Sequence, residues 1–384
     1  MSSSQIKRIK LGMVGGGEGA FIGDVHRVAA RMDDRYAFCA GALCSDPQRS
    51  LDSARKLGLS DDRSYKTYMD MAQAEGARDD GIDAVSIVTP NNLHYPIAKE
   101  FLEAGIHVIC DKPMTMTSQE AEDLIDIANN SNLILAVTYN YSGYPMIREA
   151  REMIDRGDIG SIRVVHVEYI QDWLSEPLEK TGQKQAHWRV DPEQSGIGGC
   201  IGDIGTHAFH LSCFVTQLTP SKLSADLSSF VKGRQLDDNA HILLQYKEGA
   251  KGMIWSSQVA PGNENNIKLQ IYGDKGGLIW RQEKPNELIF NPLNQASRKL
   301  TRGSAYLSER AQRLTRIPAG HPEGYLEGFA NIYREVADAI LADRDGQDIP
   351  ENVIFPSGDD GLQGVSFIEA AVKSSTTNSD WVDL

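Results

Sequence analysis

The stretch "LGMVGGGEGAFIGDVHRVAARM", residues 11–32, limits the possible fold more than any other part of the chain. Apolar residues from Ile9 to Val14 predict a strand, the run of glycines a turn, and Ala20 to Met32 a helix. A glycine turn between a strand and a helix aims backbone N–H groups and the positive end of the helix dipole outward, which makes a phosphate site. The spacing Gly15-x-Gly17-x-x-Ala20 meets the dinucleotide fingerprint. Its first glycine makes the turn, its second admits a pyrophosphate, and its third small residue lets helix and strand pack closely. Glu18, awkward beside phosphate, is expected to point to solvent.

Strand and helix signals alternate onward to about residue 140, with strands at Lys10–Val14, Ala37–Leu43, Ala84–Val88, His107–Cys110 and Ile134–Val137. In "LHYPIAKEFLEAG" one helical face carries Leu93, Ile97, Ala98, Phe101 and Leu102, and Gly105 ends the helix. "SQEAEDLIDIANN" repeats the pattern, with Ser118 as its expected N-cap. This is the layout of a doubly wound parallel sheet. Beyond about residue 145 the strands lengthen and alternate with period two, as in "NIKLQIYG", and "YKEGAKG" and "YGDKGG" supply hairpin turns. The expected fold is therefore α/β: a doubly wound dinucleotide-binding domain over 1–145, then an α+β domain with a large open, mostly antiparallel sheet over 146–384. Two late helices, "YLEGFANIYREVADAIL" and "LQGVSFIEAAVKSS", are available to cover part of that sheet, and the basic stretch 291–316 reads as a surface loop rather than a substrate lid.

With 53 acidic and 39 basic residues the chain carries a formal charge of −14, which disfavours nucleic acid and anionic membranes as partners. No stretch reaches the roughly eighteen apolar residues of a membrane span, and "MSSSQIKRIK" leads into the first strand without a signal-peptide core. A cytoplasmic enzyme for small molecules is the expectation. The 5 cysteines lack CxxC spacing and read as reduced thiols.

The second strand ends at "GALCSDPQRS", where Cys44 occupies the usual place of the acidic residue that grips the ribose diol. Ser45 and Asp46 follow, and Asp46 would repel a 2′-phosphate, so NAD is expected ahead of NADP. Arg49, which could approach that phosphate, leaves NADP open, and Asp46 reads equally as the N-cap of a helix beginning at Pro47.

Three further stretches, "TPNNLH" (89–94), "CDKPM" (110–114) and "GIGGCIGDIGTHAFH" (196–210), join the glycine turn. Together they resemble the Gfo/Idh/MocA oxidoreductase family, and "GGGEGAFIG", "GYPMIREAREMI" and "HPEGYLEGFANIY" are similar to its branch of levoglucosan, L-glucose and scyllo-inositol dehydrogenases. The resemblance implies a Rossmann domain, an open-sheet domain, and hydride transfer between nicotinamide and a sugar, anhydrosugar or inositol; separately, the open sheet is followed by too few helices to bury both its faces, which predicts a homodimer or homotetramer. To the cofactor it assigns Gly15, Gly17, Ala20, Phe21, Ile22, Ser45, Asp46, Thr89, Pro90, Asn91, His94, Asp111 and Lys112. To catalysis it assigns Lys112, Asp203 and His207, with Tyr139, Trp173, Trp188 and Arg189 added around the substrate. Where relatives often carry an aspartate three places beyond the histidine, this chain has His210.

The chemistry asks for the same residue types. Oxidising a secondary alcohol requires a base for the hydroxyl proton, and a histidine, with an ordinary pKa of about 6.5, serves at neutral pH. A fixed ammonium, Lys112, would stabilise charge on the reacting oxygen, and Asp203 would orient the imidazole or a substrate hydroxyl. Asp203, His207 and His210 also have metal-ligand spacing, but hydride transfer to nicotinamide needs no metal and none is expected. Trp173 and Trp188 read equally as core residues. Two other readings belong to the same fold: a glycosidase that uses bound NAD for transient oxidation, and a non-catalytic sugar- or nucleotide-sensing regulator.

Overall fold

Residues 8–384 are described by a computed structural model, so the reading of the N-terminus over residues 1–7 lies outside the described part. The chain forms two compact units, one made of residues up to Thr115, Gln119–Asn140 and Tyr325–Leu362, the other of Met116–Ser118, Tyr141–Gly324 and Gln363–Leu384.

The first unit runs β1 (Ile9–Gly15), α1 (Phe21–Met32), β2 (Tyr36–Ala42), α2 (Pro47–Lys56), α3 (Tyr68–Gly76), β3 (Ala84–Val88), α4 (His94–Glu103), β4 (His107–Cys110), α5 (Ser118–Asn130) and β5 (Leu135–Val137). Its strands form a parallel sheet in the order β2-β1-β3-β4-β5, the doubly wound arrangement expected. Helices cover both faces, which is why β3 is buried at every position and reads as a continuous apolar run. Asp46 and Thr67 cap α2 and α3 by accepting from Arg49 N and Asp70 N. Ser118 is the first residue of α5 rather than its cap; its N–H and hydroxyl donate to Glu369 at 2.9 and 2.8 Å.

The second unit continues with α6 (Pro145–Asp155), β6 (Ile162–Ile170), α7 (Lys184–Arg189), α8 (Pro192–Ser195), a π-helical turn (Ile201–Gly205), α9 (Thr206–Thr216), β7 (Pro220–Ser228), β8 (Asn239–Tyr246), β9 (Lys251–Ser257), β10 (Asn266–Gly273), β11 (Gly276–Arg281), β12 (Glu287–Pro292), β13 (Arg298–Thr301) and α10 (Glu309–Arg313). After α11 (Tyr325–Arg344) come α12 (Gly358–Thr376) and β14 (Val382–Asp383). The 9-stranded sheet has the order β13-β12-β11-β10-β6-β9-β8-β7-β14 and is mostly antiparallel, with β6 and β9 parallel. Ile267, Leu269 and Ile271 are buried on one face of β10, as their alternation requires.

Two expectations need correction. Helix α11, which the sequence division puts in the second domain, belongs to the first unit: Phe329, Ile332, Tyr333, Val336 and Ile340 share a core with Ile9, Leu11, Val25 and Ala29. Its apolar stripe specifies that it must be covered but not by which sheet. The stretch 291–316 is not an unstructured loop either. It contains β13 and α10, and Arg302, nearly fully buried, ties it down through Asn286 Oδ1 at 2.6 Å, Ile317 O and Glu323 Oε1, both at 2.8 Å.

A buried hydrogen-bond triangle fastens α11 to the first sheet. His26 Nδ1 lies 2.8 Å from Tyr333 Oη and 3.1 Å from Ser86 Oγ, and those two hydroxyls are 2.8 Å apart. Burial holds the His26 imidazole down to about 4 from its ordinary 6.5. As pH falls from 6.5 toward 4, the unfolded chain takes up a proton that the native chain refuses, so native stability falls across that window. The full loss is on the order of 3 kcal/mol. We expect His26→Asn, which keeps a polar group near Tyr333 and removes the titration, to show a smaller drop in Tm between neutral pH and pH 5 than the parent; equal drops would assign the acid sensitivity elsewhere.

Candidate active site

Each unit contributes its own constellation. In the first, Gly15 and Gly16 turn with φ of +79° and +70°, a region L side chains avoid. A Cβ on Gly15 would stand 2.8 Å from Val88 O, and one on Gly17 2.6 Å from Leu43 O. The turn is fixed by Gly17 N donating to Leu43 O at 3.0 Å and by buried Arg27, whose guanidinium donates to Gly16 O at 2.6 Å. Close approach of helix and turn is achieved by Gly23 against Gly16, not by Ala20, which is the half-buried residue before α1. Phe21 is exposed, whereas half-buried Ile22 packs into the core. Glu18 faces solvent, paired with Lys56 at 2.6 Å.

Three features fit a dinucleotide. No side chain caps α1, in contrast to α2 and α3, so its first-turn amides are available to an anion. Gly15, Gly16, Gly17 and Gly19 bring no side chain to the turn, and Glu18 is held away by Lys56. Beside Gly15, the Thr89 hydroxyl is buried without a hydrogen-bond partner, a costly state that a ligand's polar atom would relieve.

Other residues assigned to the cofactor have mixed roles. Asp46 is exposed, and its carboxylate accepts from Arg49 N at 2.8 Å, so the capping role is realised. Ser45 beside it is exposed as well. Pro90 is half-buried and Asn91 buried at the start of the turn into α4. His94 is fully buried, with Nδ1 2.7 Å from Pro113 O and Nε2 3.0 Å from Thr89 O. It therefore bridges the "TPNNLH" and "DKP" segments and positions their backbones. Asp111 Oδ1 accepts from Lys112 N and Thr138 Oγ1, both at 2.9 Å, and the Lys112–Pro113 bond is cis. Tyr139 is buried within the core of this unit.

In the second unit, the π-helical turn carries Asp203 and the first turn of α9 carries His207. Asp203 Oδ2 accepts from Gln258 Nε2 at 2.8 Å and Arg189 Nε at 3.2 Å. The Arg189 guanidinium also lies over Trp188 at 4.3 Å and Trp173 at 5.9 Å, so these residues, expected near the substrate, form one cluster. His207 is nearly buried against the rings of Tyr141, at 5.0 Å, and Tyr169, at 6.1 Å. A polar chain leads on from them: Tyr141 and Tyr169 hydroxyls 2.8 Å apart, Tyr169 to Asn265 at 2.9 Å, Gln171 to Asn265 at 2.7 Å, and Trp173 to Gln171 at 3.0 Å. Burial raises the Tyr141 phenol above its ordinary value, keeping it a neutral hydrogen-bonding group at neutral pH. His210 is buried and stacks on Phe214 at 5.5 Å. Among the described residues no three His, Cys, Asp or Glu side chains group as metal ligands would.

The stretch "YIQDWL", residues 169–174, marks Tyr169 and Gln171 by their aromatic and hydrogen-bonding character, whereas Arg27, Gln258, Tyr141 and Asn265 carry no such mark in the sequence. Gln258, just past β9, and Asn265, just before β10, carry no local signal, because their bonds to Asp203 and to Tyr169 join segments distant in sequence. Arg27, three residues after Asp24 with which it pairs, reads as an ordinary surface ion pair on a helix.

Fold and turn define a dinucleotide-binding domain, and comparison with known proteins makes the chain an oxidoreductase with an NAD-binding Rossmann domain. Residues 9–139 match the model of the oxidoreductase family with an NAD-binding Rossmann fold, and residues 147–279 match the GFO/IDH/MocA C-terminal domain. The chain belongs to the Gfo/Idh/MocA family. It is similar to an oxidoreductase of known crystal structure from Sinorhizobium meliloti, with 52% identity, TM-score 0.89, and 98% and 99% of the two chains covered. An inositol dehydrogenase homolog from Azotobacter vinelandii, solved with NADH and myo-inositol, is 39% identical, with TM-score 0.92 and 98% of each chain covered. The levoglucosan dehydrogenase of Pseudarthrobacter phenanthrenivorans is 26% identical over 99% of each chain. Among the described residues no helix is long and apolar enough to cross a membrane.

The unpartnered Thr89 hydroxyl separates binding from folding. Thr89→Val removes a buried polar group that has nothing to bond, so Tm should hold or rise. NADH affinity, measured by calorimetry, should fall by about twofold to tenfold, the worth of one neutral hydrogen bond. Unchanged affinity would mean that the hydroxyl does not face the cofactor.

Proposed function

We propose that the protein transfers a hydride between nicotinamide and a secondary alcohol of a sugar, anhydrosugar or inositol. The first unit would hold the cofactor and the second the substrate, and NAD would be preferred to NADP because the exposed Asp46 carboxylate disfavours a 2′-phosphate. The observation that carries the reading is the clustered set in the second unit. A carboxylate held by Arg189 and Gln258, a histidine between two tyrosine rings, and two indoles around a guanidinium offer a polyhydroxylated ring both hydrogen-bonding groups and apolar faces. The myo-inositol bound by the Azotobacter homolog and the names of the levoglucosan and inositol relatives support this class.

When bound, NAD supplies the hydride acceptor. The chain's residues do the rest. His207 takes the hydroxyl proton as general base, and Lys112 stabilises negative charge on the reacting oxygen. Asp203, whose geometry is set by Arg189 and Gln258, accepts a hydrogen bond from a substrate hydroxyl. Asp111, bonded to Lys112 N and Thr138, fixes the main chain from which Lys112 projects.

Screening monosaccharides, anhydrosugars and inositols for NADH production identifies the substrate. With it in hand, His207→Asn should lower turnover by about a hundredfold or more and abolish the rise of rate with pH, while NAD still binds. Lys112→Ala should lower turnover but keep that rise in its residual activity. Near-normal turnover and an unchanged pH profile in His207→Asn would assign the base to another group.

We further propose that a second copy covers the outer face of the large sheet, giving a homodimer or homotetramer. Neighbouring strands bring Leu243 opposite Met253, Met253 opposite His166 and Val164 opposite Tyr272, and the four apolar members are 40% to 49% exposed. Light scattering at micromolar concentration should give a multiple of 42.3 kDa, and Leu243→Lys with Met253→Lys should shift it to the monomer. A monomeric parent would refute the assignment.

A further inference from the structure

Three consecutive amides at the entry to the π-helical turn end on one residue. Gly199 N donates to Asp237 Oδ1 at 2.6 Å, Cys200 N to Asp237 O at 2.8 Å, and Ile201 N to Asp237 Oδ2 at 2.8 Å. Gly199 sits so close that a Cβ there would collide with the same Asp237 carbonyl oxygen. The next bond in the chain belongs to the site, since Asp203 N donates to Gly199 O at 2.9 Å.

The neighbouring Asp238 completes the arrangement. Its carbonyl accepts from Gln258 N at 2.9 Å, and the Gln258 side chain is the one that donates to Asp203 at 2.8 Å. Its carboxylate accepts from Phe230 N at 2.9 Å, Val231 N at 3.0 Å and Arg234 at 3.3 Å, which fixes the pair at the head of β8. The backbone of Asp203 and one of its side-chain donors are thus both referred to two adjacent residues.

We propose that Asp237 is a positioning residue for the reaction, holding residues 199–201 so that Asp203 and His207 keep the geometry catalysis needs; this rests on the reading of those two residues given above. Burial pushes the Asp237 carboxyl up to about 6 against the pull of its two backbone N–H bonds, so the turn is gripped at an electrostatic cost. An asparagine would fill the same space for less, but its NH2 would face one of the two amides donor to donor. Only a group with two acceptor oxygens serves both.

The test is Asp237→Asn, read in two ways. Hydrogen–deuterium exchange should rise in peptides spanning 197–207 and not elsewhere, with NADH affinity unchanged. For the alcohol found in the substrate screen, kcat should fall about tenfold to a hundredfold and the pH–rate profile should move, as expected when a base is displaced by a fraction of an ångström to an ångström. Unchanged exchange over 197–207, or raised exchange with the parental kcat and pH profile, overturns the proposal. A parent chain inactive on every alcohol tested would instead defeat the functional reading, while the exchange measurement still decides whether Asp237 holds the turn. Should Asp237→Asn not fold, Asp237→Ser, whose hydroxyl can accept from one amide without opposing the other, is put through both measurements under the same criteria.

Discussion

Val88 O occupies the space that a side chain on Gly15 would need, and the first unit is organised around that contact. Strands β1 and β3 are paired in register up to Gly15 opposite Val88, so the close approach is a consequence of the parallel ladder itself. A side chain there would have to part the two central strands or abandon the left-handed turn. With the turn kept, Gly17 reaches the end of β2 through Leu43 O, Gly23 can lie against Gly16, and Arg27 can close on the Gly16 carbonyl. The start of α1 is then set in place with its first amides uncapped. Binding of an anion is left to main-chain groups whose positions the sheet dictates.

In the second unit the groups proposed to meet the substrate are side chains, and their geometry has to be imposed differently. The Arg189 and Asp203 side chains are 23% and 15% exposed, so neither charge is fully solvated and each needs the other. The pair alone could swing. Gln258 adds a second donor to the same carboxylate oxygen from the end of β9, and the two indoles restrict the guanidinium from the opposite side. Both donors meet at Asp203 Oδ2, so two side chains from different segments fix one carboxylate oxygen.

The parts of this arrangement legible in the sequence are those whose cause is local. The glycine turn, the parallel strands and the alternation in β10 follow from steric and burial rules acting over a few residues. The combination of "DKP" and "DIGTH" directed attention to Lys112, Asp203 and His207 through resemblance, because neither spacing demands catalysis by itself. What escaped depends on tertiary partners. The stripe on α11 fits any apolar surface, and the basic stretch 291–316 looks unstructured until Arg302 finds Glu323. Asp46 shows why one residue type can mislead: the same aspartate answers to a ribose-binding rule and to an N-cap rule, and its bond to Arg49 N satisfies the second. His94 was legible as part of a motif, but its two carbonyl contacts make it a support for the motif's backbone.

These differences bear on where substrate choice resides. Main-chain amides and glycines distinguish little among ligands beyond shape and charge, so a unit that binds through them suits an invariant partner. Side chains from α7, the π-helical turn, β6 and the segments after β6 and β9 converge in the second unit, and each can change without disturbing the others' backbones. Under the proposed mechanism Asp203 and His207 are poor candidates for such change, since it asks them for a carboxylate and a base. Trp173 and Gln171 are better ones: they meet through their side chains, while Arg189, which holds both Asp203 and Gln185, is constrained. On the proposed function, selection among sugars and cyclitols would be written in Trp173 and Gln171, with the geometry of Asp203 held beneath them by Arg189, Gln258 and Asp237.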